Sequence, residues 1–219
     1  RNIQKGNVID YLNILEIECG KIIAVIGKNG KGKTTLLRIL SGNVLPDSGE
    51  IVIDEKVDYS FPIKFLSVPK YQRHFRNNVL YIENQNVLYH NLTCLQNINY
   101  FMSLGCFDKN TFWNILEKLE FDIKYLDCIV KELSLGTKQK IILSFAISSQ
   151  KPIIILDEPM IGLDIFSKNC VLNILFELKK SKAIILSTND VSLLKCFDFF
   201  LHCEENEVKL IYDNPYDEI

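Results

Sequence analysis

Gly27-Lys28-Asn29-Gly30-Lys31-Gly32-Lys33-Thr34-Thr35 is the stretch that decides the fold. It fits the pattern G-x-x-x-x-G-K-S/T without a mismatch. Ahead of it, Lys21-Ile22-Ile23-Ala24-Val25-Ile26 is too apolar for a half-solvated strand and predicts a short buried one. Behind it, Thr34 to Leu40 carries helical spacing, with Gly42 placed to end the helix. Strand, loop and helix in this order make a cradle for a polyphosphate. The glycines let the backbone fold tightly, so that amide N–H groups point inward and the helix N-terminus faces negative charge. Lys33 then reaches the β- and γ-phosphates, and the Thr34 hydroxyl ligates Mg²⁺. A glycine-rich turn with a chance lysine would not explain the ordered neighbours.

At 219 residues the chain is one sizeable domain, or one domain with a small subdomain. A hydrophobic share of 47% beside 24% charged residues lets it bury a full core. A formal net charge of −2 gives no electrostatic case for wholesale nucleic-acid binding. Seven cysteines are scattered without a C-x-x-C pair, mostly among apolar residues, and predict buried thiols in a reducing compartment. His202-Cys203 with Cys196 lacks a fourth ligand at zinc spacing and is read as core. No apolar run approaches the length of a membrane span and no signal peptide is recognised. If the protein acts at a membrane, the expectation is that another polypeptide supplies the membrane part.

Taken in order, residues 8–18 alternate loosely and suggest one or two strands. Leu45 to Gly49 is a turn by composition, and Glu50 to Asp54 alternates as a half-buried, antiparallel strand. Residues 55–78 show no clear period, and Phe61-Pro62 and Val68-Pro69 argue for a long irregular connection carrying Lys70, Arg73, His74 and Arg76 as a solvated basic loop. Asn78 to Ile82 returns as a strand. Thr93 caps a helix running to about Leu104, and a second helix carries Phe112, Ile115, Leu116 and Leu119 on one face. Further helices are expected at 141–149 and 166–180, and strands at 183–187 and 197–201. Strands alternating with helices mean an α/β fold with a mainly parallel sheet; residues 92–135 interrupt the rhythm as a small helical insertion.

Pro152-Ile153-Ile154-Ile155-Leu156-Asp157-Glu158-Pro159 is a buried parallel-type strand that ends in two acids. Parallel α/β sheets hold ligands at the carboxyl ends of their strands, which brings this end towards the phosphate loop. Asp157 then positions Mg²⁺ and Glu158 polarises the attacking water.

With these residues on the page, the chain resembles the nucleotide-binding domain of an ATP-binding cassette (ABC) protein along nearly its whole length. Gly27 to Thr35 matches the Walker A loop, Ile153 to Glu158 the Walker B strand, and Leu163-Asp164 the end of the D-loop. Most specific is Leu133-Ser134-Leu135-Gly136-Thr137-Lys138-Gln139, which resembles the family's signature motif. Its distance from the Walker B acid, 157 − 134 = 23 residues, is the family's spacing. The resemblance implies a P-loop NTPase of the ABC ATPase type: a mainly parallel core with an antiparallel β part (1–91 and 136–219) and a helical subdomain (92–135). It implies ATP and Mg²⁺ as ligands. It also implies a dimer, homo- or heteromeric, in which Ser134 and Gly136 of one subunit meet the γ-phosphate held by Gly27, Lys28, Asn29, Gly30, Lys31, Gly32, Lys33, Thr34 and Thr35 of the other.

The chain departs from the family in several places. Asn189 follows Ser187-Thr188 where the switch histidine belongs; its amide can donate to a phosphate oxygen but cannot carry a proton. The glutamine that contacts Mg²⁺ aligns with Asn84, with Gln85 adjacent. Thr137 replaces a glutamine and Met160 a threonine, and the adenine-stacking aromatic falls near Gln4 or Lys5, with Tyr11 a candidate. The expectation is an ATPase subunit, cytoplasmic and peripheral on the inner membrane face, that powers transport, in the export direction, through an integral-membrane subunit. No nucleic-acid partner is expected. A soluble ABC ATPase clamping ribosome or DNA is the alternative from another class, and a clamp with little turnover is a third.

Overall fold

The computed structural model describes residues 3–5, 9–12, 17, 19–53, 57–61, 68–83, 87–190, 193, 196–204 and 207–212. Its first half runs β1 (Ile3–Lys5), β2 (Ile9–Leu12), β3 (Ile22–Ile26), α1 (Lys33–Leu40), β4 (Ser48–Ile53), β5 (Val57–Phe61), α2 (Val68–Asn78) and β6 (Val79–Ile82). The second half runs α3 (Cys94–Ser103), α4 (Lys109–Lys118), two 3-10 turns, α5 (Leu135–Ser148), β7 (Ile153–Leu156), α6 (Ile165–Leu178), β8 (Ala183–Ser187), β9 (Phe199–Cys203) and β10 (Glu207–Ile211). These strands form one mixed sheet in the order β5-β4-β1-β2-β10-β9-β3-β8-β7-β6.

From β9 to β6 the pairing is parallel throughout, with Ile23 opposite Ile185 and Ile155 opposite Ile185 in register. All five side chains of β3 and all five of β8 are buried, as near-continuous apolar runs require when helices cover both faces; β8 closes on the hydroxyl of Ser187. The other end is antiparallel: β1 pairs with β2 and β4, and β4 with β5. Because β3, β8 and β7 run the same way, the loop after β3, the acids after β7 and Ser187-Thr188-Asn189 after β8 emerge at one edge of the sheet. That shared edge is what the topology contributes to function.

The helices pack as their spacing asks. Thr93 caps α3 reciprocally with Gln96, Asp108 caps α4 through the Thr111 amide, and Phe112, Ile115, Leu116 and Leu119 are buried. Phe145 of α5 packs against Phe101, Phe107 and Phe112, so the side chains of 92–135 join one continuous apolar cluster with α5, α6 and a face of the sheet.

Several expectations need correction. Residues 55–78 are not an irregular connection, because β5 and α2 lie there. Pro69 sits in the first turn of α2, where its missing N–H costs nothing, so it marks a helix start and not a break. Lys70, Arg73 and Arg76 are therefore on the solvent side of a helix whose Tyr71 and Phe75 are buried. The helix expected from 141 begins at Leu135, the last strand expected at 197–201 is Phe199–Cys203, and β10 pairs antiparallel with it. Asn84 and Gln85 lie outside the described residues. Tyr11 lies on β2, its backbone paired with Glu207 of β10.

Candidate functional site

The loop between β3 and α1 closes on glycines that have no substitute. Gly27, Gly30 and Gly32 all have positive φ (138°, 82° and 89°). At Gly27 a Cβ would lie 2.4 Å from the Cys203 carbonyl oxygen, so any side chain would push β9 away. The α1 N-terminus has no side-chain cap and no acidic residue in its first turn, leaving its amides to an outside anion. Lys33 is 6% exposed, and its ammonium donates to the Gly27 carbonyl at 2.7 Å. An ammonium beside the uncapped amides of a helix N-terminus is the donor set a polyphosphate needs.

Across the edge, the Thr34 hydroxyl donates to Asp157 Oδ2 at 2.7 Å. A hydroxyl beside a carboxylate is a hard-oxygen pair of the kind that suits Mg²⁺. Asp157 is held from behind: its amide donates to the Ile82 carbonyl at 2.9 Å, and the Ser187 hydroxyl donates to its Oδ1. Glu158 follows in a left-handed conformation, φ 47°, with its amide donating to Ser187 Oγ at 2.7 Å. Its carboxylate accepts from the Asn189 amide at 3.0 Å, and the same Nδ2 donates at 3.0 Å to Asn29 Oδ1 of the phosphate loop. Thus Asn29, Lys33, Thr34, Asp157, Glu158 and Asn189 meet at one edge. Ser187 belongs with them and was missed by motif reading. The one signal for it in the sequence is a hydroxyl closing an otherwise apolar strand.

The signature residues form a second cluster. Ser134 is the N-cap of α5, accepting from the Thr137 amide at 3.1 Å, and its hydroxyl lies 2.8 Å from that of Thr137. Gly136 lies against the loop that follows Glu158: a Cβ there would sit 2.4 Å from the Gly162 carbonyl oxygen. Gln139, 2% exposed, donates to the Pro159 carbonyl at 2.8 Å. The α5 start and the Glu158–Asp164 loop are therefore fastened at two points. Asp164 ends that loop as the N-cap of α6, accepting from the Ser167 amide, which holds its carboxyl below the usual range. A cavity of about 380 Å³ opens beside Glu158, Gly162, Lys168 and Asn189, with the Lys168–Asp190 ion pair on its wall.

At the border of α1, Arg38 makes a two-pronged contact with Glu83, one arm at 3.1 Å. Hydrogen bonding to Arg38 holds the Glu83 carboxyl below its ordinary value, and the guanidinium is raised in turn.

The ABC transporter family model matches residues 13–161, which span the phosphate loop, the signature and the Walker B acids. The chain belongs to the ABC transporter family. It is 31% identical over 190 residues to a Methanocaldococcus jannaschii protein named as an ABC transporter ATP-binding protein, covering 84% of this chain and 66% of that one. It is 33% identical over 175 residues to the SkfA peptide export ATP-binding protein SkfE of Bacillus subtilis, covering 78% of this chain and 67% of SkfE. The chain thus spans about two thirds of the length of these relatives. Among solved structures, the dimeric ATP-binding cassette bound to ADP and phosphate superposes with a TM-score of 0.75 over 95% of this chain and 93% of that one, at 22% identity. This last likeness shows the fold alone. The family match makes the domain an ABC ATPase cassette, and no helix among the described residues is long and apolar enough to cross a membrane.

Proposed function

We propose that Gly27 to Thr35 binds Mg·ATP, that Asp157 with Thr34 holds the metal, and that Glu158 is the general base for the attacking water. The observation that carries this reading is the convergence of Thr34, Asp157, Glu158 and Asn189 on the edge where α1 begins. Mg²⁺ would neutralise charge on the β- and γ-phosphates. The chain's own residues do the rest. Lys33 exchanges its Gly27 contact for phosphate oxygens, Glu158 takes a proton from water, and Asn189 orients Glu158 through a neutral amide. A histidine in that position could hold or release a proton; asparagine can do neither, so turnover in the isolated domain is slow.

Ser134 and Gly136, at the exposed start of α5, serve the γ-phosphate of a second cassette arranged head to tail, homomeric or heteromeric. That a cassette of the same fold is dimeric is in keeping with a second cassette here. ATP closes the pair, and loss of the γ-phosphate contact loosens it. The work drives transport through a separate integral-membrane subunit from the cytoplasmic face. Export is the proposed direction, in keeping with the name of SkfE. The helical subdomain, residues 92–135, receives that subunit. Most of its apolar side chains are used internally, but Tyr100 and Leu104, four residues apart at the end of α3, are 44% and 55% exposed, and Tyr100 meets Tyr89, 50% exposed, from the segment just ahead.

The test is nucleotide binding followed with a fluorescent ATP analogue, together with particle mass by light scattering. Lys33→Ala should weaken binding at least tenfold, and ATP with Mg²⁺ should raise the mass of the parent, or of an equimolar mixture with its partner cassette. Undiminished binding in Lys33→Ala would overturn the reading.

A further inference from the structure

We propose that Ser187 is a positioning residue for hydrolysis: its single hydroxyl sets both the metal-holding acid and the general base. This deepens the proposed function and rests on Glu158 being that base.

The assignment comes from hydrogen-bond direction. The Glu158 backbone N–H can only donate, so Ser187 Oγ accepts from it at 2.7 Å. The hydroxyl proton is then left for Asp157 Oδ1, which lies within a short hydrogen bond of it. One oxygen therefore accepts from the amide of one acid and donates to the carboxylate of the other. Asp157 ends with both oxygens committed, Oδ1 to Ser187 and Oδ2 to Thr34, which fixes the plane of its carboxylate. Ser187 is wholly buried and Asp157 is 6% exposed, so water cannot readily take over either contact.

The bond to the Glu158 amide matters because Glu158 is under strain. A non-glycine residue at φ 47° costs backbone energy and persists only where its surroundings hold it. Among the described residues, Ser187 is the side chain that grips the Glu158 amide. Without it the turn is free to relax towards ordinary helical or extended angles. The carboxylate would then swing away from Asn189 and Asn29, which now keep it 3.0 Å from Nδ2 and beside the phosphate loop. A chain of contacts results, from Thr34 at the start of α1 through Asp157, Ser187, Glu158 and Asn189 to Asn29 in the loop just ahead of that helix. Ser187 joins its metal side to its base side through a side chain.

A positioning role separates chemistry from binding. The phosphates are held by the loop amides and Lys33, and no hydrogen bond among the described residues joins these to Ser187; when the hydroxyl is lost Asp157 keeps its Thr34 contact at the metal side, whereas the base loses the grip on its amide and is displaced. A displacement on the order of 1 Å can cost about a hundredfold in rate.

The experiment measures kcat, KM, fluorescent-ATP affinity and nucleotide-free melting temperature for Ser187→Ala, Ser187→Cys and Ser187→Thr, with Glu158→Gln as reference. The expected result is a 10- to 100-fold fall in kcat for Ala and Cys, in line with that displacement. KM and affinity should stay within about twofold, and activity should return in Thr, which keeps the hydroxyl. Cys nearly preserves volume, so its loss of rate cannot come from a cavity. If Thr does not fold in the fully buried site, the Ala and Cys results decide. Two outcomes overturn the proposal: kcat in Ala and Cys within twofold of the parent while Glu158→Gln is inactive, or affinity falling in step with kcat and stability. A Glu158→Gln protein as fast as the parent would instead refute the base assignment, whatever the Ser187 variants do.

Discussion

Gly136→Ala tests the fastening between the α5 start and the loop that carries Glu158. The added Cβ would lie 2.4 Å from the Gly162 carbonyl oxygen, whereas ordinary contact begins at 3.4 Å, so backbone must yield by 3.4 − 2.4 = 1.0 Å. The obstacle is a carbonyl, not a side chain that can turn away. Overpacking of this kind costs about 1–3 kcal/mol. Replacing glycine by alanine in a helix returns up to about 1 kcal/mol, and less in its first turn. The net is a destabilisation of about 1–2 kcal/mol, or a drop of about 2–8 °C in melting temperature for a domain of this size. Thermal unfolding without nucleotide measures this free of any role Gly136 has at a phosphate. Moving Gly162 by this much also shifts the Glu158 segment, so kcat should fall about 10- to 100-fold. An alanine variant that melts with the parent and turns over at the parental rate would refute the fastening.

Asn189→His should raise the hydrolysis rate about tenfold or more and introduce an acid limb between about pH 6 and 8, where the parent's rate is flat; a parent that is already fast and unimproved would move the switch role elsewhere. Arg38→Ala should lower stability near neutrality by less than about 1 kcal/mol, since both partners are 43% exposed. Because hydrogen bonding to Arg38 holds the folded Glu83 carboxyl below its ordinary value of 4.5, this contribution is full above about pH 4.5 and is lost as pH falls through the depressed value, so the parent–variant gap should close in acid. A gap that does not narrow as pH falls below the ordinary carboxylate range would mean that the arginine stabilises by packing. Glutamate at Tyr100 or Leu104 should abolish co-purification with a membrane subunit while leaving basal hydrolysis unchanged; retained partner binding would dismiss that face as the docking surface.

The elements around the nucleotide are legible because each carries an apolar run or a motif with fixed chemistry: β3, α1 and β8 lie within a residue of their expected places, and β7 stops two residues before Glu158. What was illegible depends on contacts distant in sequence. In β10 the alternation Glu207-Val208-Lys209-Leu210 is too short to establish a strand alone; its pairing with β9 and β2 does. The first turn of α5, Leu135 to Lys138, looks too polar for a helix until Gly136 and Gln139 are seen against Gly162 and Pro159. Residues 92–135 are rich in aromatic side chains, a composition that by itself does not say which are core and which are surface. Phe101, Phe107, Phe112 and Trp113 pack into the common core, and a small exposed patch remains. At the site, the sequence names the acids but not the hydroxyl between them. A lone serine acquires meaning only when β8 brings it beside β7.

Phosphate release from ATP by Glu158→Gln, measured beside the parent under matched nucleotide occupancy, tests the central claim most directly. Removing the carboxylate's basicity while keeping its shape and its contact with Asn189 should leave ATP affinity within about twofold and lower the rate by at least about a hundredfold, the scale of a lost general base. A variant that binds ATP and releases phosphate at the parental rate would contradict the account.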